Sequence, residues 1–124
     1  MSDRAEPRHR VDDCPFCRIV AGRIPSTKVH EDDAVLAIRD IAPRAPTHVL
    51  LMPREHIGSA ADLTAEHAGL LGAIFAAAAA VARSEGIAER GYRIVTNVGT
   101  WGGQTVDHLH FHLLGGRSMT WPPG

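Results

Sequence analysis

Clusters of positive charge are missing from this 124-residue chain: Lys28 is its only lysine, its arginines are scattered, and the formal net charge is −1. No electrostatic footprint for nucleic acid or an anionic membrane follows, so neither is expected as a partner, while a nucleotide-sized ligand stays open. The opening residues show no apolar run either. Residues 1–12 are polar and charged, which predicts a flexible tail rather than a signal peptide, and with it cytoplasmic residence. Cysteine is scarce, with only Cys14 and Cys17 in Cys14-Pro15-Phe16-Cys17 and no second such pair. In a chain without a secretion signal this spacing reads as a metal half-site or a redox pair rather than a structural disulfide. The most apolar stretch, Ala68 to Ala82, is fifteen residues long, short of the roughly 18–20 that cross a bilayer, and so predicts a buried helix.

What is present suffices for one compact domain, expected over residues 13–124, since 44% of the chain is hydrophobic and a core of that size needs no staples. Pro15 and Gly22 bracket a short helix, Cys14 to Ala21. Thr27 to Glu31 and Ala34 to Arg39 flank an acidic turn at Asp32-Asp33 and predict a hairpin. Thr47 to Met52 reads as a buried strand closed by Pro53. A Thr64 cap opens a long helix with apolar residues at helical spacing, and Gly86 ends it. Arg93 to Val98 predicts a strand, Gly99 to Gly103 a loop, and Asp107 to Leu114 a last strand. The whole is an α+β fold: a mainly antiparallel sheet of about five strands, one short N-terminal helix and one long helix covering a face.

The last strand carries the chemistry. In His108-Leu109-His110-Phe111-His112-Leu113-Leu114 the imidazoles recur at every second position, so an extended chain puts all three on one face and drives Leu109, Phe111 and Leu113 into a core. Such a row could hold a metal, or could supply a nucleophile with electrostatic helpers. Same-face neighbours sit roughly 6.5–7 Å apart, too far for three of them to wrap one tetrahedral ion. Just upstream, Gly99, Gly102 and Gly103 permit close backbone approach while Gln104 and Thr105 add an amide and a hydroxyl, a group of donors suited to phosphate oxygens.

The stretch 108–114 resembles the histidine triad signature at every position. The resemblance runs from Cys14–Gly22 through Arg39-Asp40-Ile41-Ala42-Pro43 and Pro46-Thr47-His48 to Trp121-Pro122-Pro123-Gly124, and is nearest to the Hint branch, the histidine triad nucleotide-binding proteins. What this implies is a homodimeric purine nucleoside phosphoramidase of the HIT-like fold that cleaves a P–N bond through a nucleotidyl-histidine intermediate and releases the nucleoside monophosphate. By motif position His110 is the nucleophile, His112 neutralises phosphate oxygens, Thr105 bonds near the leaving group, and His108 with His48 orients the row. Gln104 and the Gly103 backbone complete the phosphate cradle, Asp40 takes the ribose hydroxyls, and Ile41 lines the base pocket with Asn97 nearby. The resemblance also implies a structural zinc on Cys14, Cys17, His56 and His108, and no organic cofactor.

Plainer readings exist for several of these. His48 serves equally as a satisfied buried histidine, Asp40 as an ordinary turn aspartate, Asn97 as a strand-end cap, and the two cysteines as reduced core residues. His9, His30 and His67 have no motif support and are expected to face solvent. The competing functional class is a nucleotide-binding interaction module with little catalysis. The chain departs from the branch at Thr105, where serine is common, and at Ile38 and Arg39, where an aromatic and a histidine are common. The long helix, with its alanine face, is the expected contact of a homodimer.

Overall fold

A computed structural model describes residues 12–124. The expected tail and His9 lie outside these, except for Asp12, whose carbonyl accepts a 2.7 Å hydrogen bond from Arg18 Nε. The chain runs α1 (Pro15–Val20), β1 (Lys28–Glu31), β2 (Val35–Arg39), β3 (Thr47–Pro53), α2 (Ala68–Ser84), β4 (Tyr92–Val95), α3 (Gly99–Gly102) and β5 (Phe111–Gly115). The strands form one sheet in the order β1-β2-β3-β5-β4, with every pairing antiparallel. The predicted α+β class and five-stranded sheet are what the chain adopts.

Alternation on the central strands separates two apolar layers. Val35, Ala37, Val49, Leu51, Leu109, Phe111 and Leu113 join Ile74, Ala77, Ala78, Val81 and Ala82 of α2 on one side. Leu36, Ile38, Leu50 and Met52 face the other way and pack with Cys14, Phe16, Cys17 and Val20 of the α1 region. Because side chains two apart share a face, the histidines of the last strand fall on the α1 side. The buried run Val49-Leu50-Leu51-Met52 is apolar throughout because β3 is covered on both faces.

The hairpin turns at Asp32, whose Oδ1 accepts from the backbone of Ala34 and Val35 at 2.8 Å each. Thr64 caps a single 3₁₀ turn, Ala65–His67, which leads into α2. His67, expected to face solvent, completes that cap: its Nδ1 accepts the Thr64 N–H at 2.9 Å, the place a Glu or Gln takes in the usual capping box. Gly86, at φ 75°, stops the helix in the left-handed conformation: its N–H donates to Arg83 O and that of Ile87 to Ala82 O, a Schellman closure. The helical segment Ala65–Ser84 is 20 residues long and contains an 18-residue window of mean hydropathy 1.5, so length does not exclude a membrane span as the fifteen-residue run suggested. What places α2 in the core is the packing of its buried residues on the sheet.

The histidine strand is shorter than predicted. Pairing begins at Phe111 opposite Leu51 and extends to Gly115, leaving His108, Leu109 and His110 outside the ladder. Extending the register would set Leu109 against Pro53, which has no N–H to give. Instead the Leu109 N–H donates to Ile57 O at 2.6 Å, and Thr96 Oγ1 donates to His110 O at 2.8 Å where β4 has already ended. The predicted strand Arg93 to Val98 is Tyr92–Val95, ending where the Thr96 side chain takes over the bond to the His110 carbonyl, and the predicted Gly99 to Gly103 loop contains the one-turn helix α3.

Candidate active site and metal centre

The three imidazoles keep one face but differ in depth: His108 is wholly buried, His110 nearly so, and His112 half-buried. Their ring nitrogens are assigned by what each one touches, because a carbonyl can only accept and a backbone N–H can only donate. His110 Nδ1 lies 2.7 Å from the carbonyl of His108, so in the neutral ring Nδ1 carries the proton and Nε2 keeps its lone pair. Phe16 packs edge-on against this ring at 5.0 Å between centroids. His110 is thus held in the tautomer a nucleophile requires.

Towards β3 the order of roles reverses. The Arg44 N–H donates to His48 Nδ1 at 3.0 Å, which leaves the proton of neutral His48 on Nε2. That N–H is 2.9 Å from His112 Nδ1 and 3.3 Å from Asp40 Oδ2. His112 therefore accepts at Nδ1 and offers Nε2–H as its remaining donor, with its ring centroid 5.1 Å from that of His110. Burial, with repulsion from His110 and His48, pushes His112 down to about 4, against the pull of Asp40. His48 is lowered as well, first by burial, with Asp40 opposing. Both rings are neutral at neutral pH, and His112 faces its neighbour as a neutral hydrogen-bond donor.

On the α1 side, His108 Nε2 donates to Pro53 O at 2.9 Å, turning its Nδ1 lone pair toward Cys14 Sγ at 3.4 Å and Cys17 Sγ at 3.6 Å. His56 Nδ1 is 3.3 Å from Cys17 Sγ, and the four donor atoms lie within 4.8 Å of one another. Bonds of about 2.3 Å to sulfur and 2.0–2.1 Å to nitrogen in a tetrahedron set sulfur and nitrogen about 3.5 Å apart, so this cluster is compatible with zinc. Burial lowers the pKa of His108 to about 4, which favours the neutral, ligating form. Both sulfurs stand as thiols rather than as a disulfide.

Asp40, His48 and His112 meet the same distance criterion, but the tautomers separate the two groups. A ligating His48 Nε2 would have to shed the proton that the Arg44 N–H, by occupying Nδ1, keeps there. The second group is a hydrogen-bond chain.

Asp40 sits beside the row but also closes its own turn, Oδ1 accepting from Ala42 N at 2.8 Å. Ile41 is 101% exposed. Gln104 spends its amide on the loop: Oε1 accepts from Gly99 N at 2.9 Å, and Nε2 donates to Gly58 O and Val106 O at 2.8 and 3.0 Å. Gly103 has φ 89°, and a Cβ there would sit 3.8 Å from the Asn97 amide nitrogen, so the backbone turns there beside Asn97. Thr105 is exposed and borders a cavity of about 330 Å³ with Cys14, Pro15, His56 and Asp107. Sequence reasoning missed Phe16, the Arg44 amide and the Pro53 carbonyl, of which only Phe16, lying between the two cysteines, had a position that could have drawn attention.

An α+β sheet carrying an alternating histidine row, with one imidazole held in a nucleophilic tautomer, defines the class as a histidine triad hydrolase. A model of the HIT domain matches residues 21–119, and the chain belongs to that family. It is 49% identical over 104 residues to the purine nucleoside phosphoramidase of Escherichia coli (strain K12), covering 84% of this chain and 87% of that protein. It is 48% identical over 127 residues to the 14 kDa zinc-binding protein of Zea mays, covering 99% and 98%. The crystal structure of a HIT family hydrolase from Legionella pneumophila Philadelphia 1 superposes with a TM-score of 0.89 at 52% identity, over 90% of this chain and 100% of that one.

Proposed function

We propose that this hydrolase cleaves the P–N bond of purine nucleoside 5′-phosphoramidates by way of a nucleotidyl-His110 intermediate. The observation that carries the reading is the 2.7 Å bond from His110 Nδ1–H to the His108 carbonyl, which leaves the Nε2 lone pair for attack on the α-phosphorus. As the P–Nε2 bond forms, the P–N bond breaks and its electron pair goes to the nitrogen, which takes a proton from solvent water and departs as the amine. The positive charge developing on the ring is spread through the Nδ1–H that the carbonyl already accepts. The Nε2–H of His112 donates a hydrogen bond to a non-bridging oxygen, and His48 keeps that proton in place. Water then attacks phosphorus, nucleoside monophosphate leaves, and Nε2 recovers its lone pair.

Asp40 and Ile41 take the ribose and base, Asn97 and the Gly103 backbone border the phosphate, Thr105 meets the leaving group, and Gln104 acts by holding the loop. Resemblance to the Escherichia coli phosphoramidase supports the substrate class. Zinc is the proposed ion of the Cys14–Cys17–His56–His108 cluster; four protein donors leave no open position, so its part is structural. The outer face of α2, with Gly72, Phe75, Ala76 and Ala80 exposed, is proposed as the contact of a homodimer, which light scattering at micromolar concentration would show. The decisive experiment is turnover of adenosine 5′-phosphoramidate by wild type and His110→Ala. Loss of turnover in the variant, with a nucleotide trapped on His110 in wild type, is expected; turnover persisting in the variant overturns the assignment. Binding of the monophosphate by wild type without cleavage would favour the interaction module.

A further inference from the structure

The metal cluster and the nucleophile are usually separable parts of a protein, but here one residue belongs to both. His108 turns Nδ1 toward Cys14 and Cys17, donates Nε2–H to Pro53 O at 2.9 Å, and offers its own carbonyl to His110 Nδ1 at 2.7 Å. His108 and His110 lie outside the β3–β5 ladder, so no pairing with β3 fixes the peptide that carries this carbonyl. What holds it is the N–H of the same peptide, that of Leu109, donating to Ile57 O, with the side chain of His108 anchoring the residue on one side and the hydroxyl of Thr96 the His110 carbonyl on the other. Phe16 adds a second link: it lies between the two cysteines on α1 and sets its ring 5.9 Å from His108 and 5.0 Å from His110, near-perpendicular to both.

We infer that His108 is a positioning residue through which metal occupancy of the Cys14–Cys17–His56–His108 cluster fixes the tautomer and orientation of His110. This rests on the reading of His110 as nucleophile and adds that the ion acts on catalysis without touching substrate. The chemistry follows from the donor set. With the ion bound, the His108 ring has one allowed orientation and one tautomer, and its carbonyl stays where the His110 Nδ1–H needs it. Without the ion, two thiols and two imidazoles are left to share protons, the ring of His108 gains alternative partners, and the proton of neutral His110 distributes between Nδ1 and Nε2. Every molecule with the proton on Nε2 has no lone pair to offer there.

The test uses His56→Ala, which removes a ligand while leaving His108, Phe16 and the triad in place. Zinc content, the ring ¹⁵N resonances of His110 and steady-state kinetics are compared with wild type. Expected are loss of zinc, a shift of His110 from the single Nδ1–H form toward a mixture, a fall in kcat of about 10- to 100-fold, and unchanged affinity for nucleoside monophosphate; His56→Cys, restoring four ligands, should recover both zinc and the His110 resonances. A chain that loses zinc yet keeps the wild-type His110 resonances and kcat overturns the inference while leaving the nucleophile reading intact. Should His56→Ala fail to fold, wild type stripped of zinc by a chelator decides: its His110 resonances must move toward the mixture and return when zinc is added back, and resonances unchanged by stripping in a chain that stays folded overturn the inference. Persistent turnover in His110→Ala, by contrast, would remove the nucleophile reading itself.

Discussion

The two ends of the histidine row are built from the same residue type at the same spacing, yet one suits a metal and the other a proton. At His108 a carbonyl takes the Nε2 proton and exposes Nδ1 to two sulfurs. At His48 a backbone N–H occupies Nδ1 and leaves Nε2 protonated for His112. The lesson is that the partner on the far nitrogen decides what an imidazole can do. His110, between them, borrows from both: a carbonyl donated by the metal end and a neutral N–H maintained by the relay end.

The sharpest way to break this comparison is at the relay end. His112→Ala removes one preorganised donor to the phosphate, and kcat/KM for adenosine 5′-phosphoramidate should fall by about 10²–10³ with zinc content unchanged. A fall in zinc alongside activity would show that the two ends are not separate. At the metal end, the double substitution Cys14→Ser and Cys17→Ser should abolish zinc binding and lower the melting temperature by several degrees, since an ion bound only by the native chain stabilises it by mass action. Zinc retained at wild-type stoichiometry would reject the cluster. His48→Ala is the subtler test: it leaves every metal ligand and the His112 ring in place but releases the latter's tautomer. A roughly tenfold loss of kcat with full zinc is expected, and an unchanged kcat would mean that His112 needs no orienting partner.

Much of this arrangement could be read from the chain before any coordinates. Alternation over His108 to Leu114 placed the imidazoles on one face and Leu109, Phe111 and Leu113 in the core, because period two is a local property of extended backbone. The Asp32 turn and the Gly86 stop were equally local. Where the ladder ends was not legible, because it depends on Pro53, a residue distant in sequence that brings a carbonyl but no N–H. Gln104 carried the same difficulty: its amide suits a phosphate by type, and only the approach of Gly58 and Val106 shows it holding the loop. The tautomers that separate the two ends rest on the Arg44 amide and the Pro53 carbonyl, backbone groups that every residue owns and no motif records.

The smallest effect tests the relay end through stability. His112 titrates at about 4 in the folded chain and near 6.5 when unfolded. Between these values the unfolded state binds the proton and the folded state does not, so stability falls as pH drops from about 6.5 toward 4 and is unaffected by this group above that window. A shift of that size corresponds to at most about 3 kcal/mol, and the half-exposed ring reduces it to about 1–2 kcal/mol after solvent screening. Metal ligands also lose their ion on acidification, with the same sign, so a wild-type curve alone does not isolate His112. The difference between wild type and His112→Asn does, because zinc release is common to both. Urea unfolding at pH 7 and pH 5 should show the wild type losing about 1 kcal/mol more than the variant over that interval. Parallel losses would mean that His112 is no harder to protonate in the fold than out of it, and that the His48 N–H does not hold it neutral.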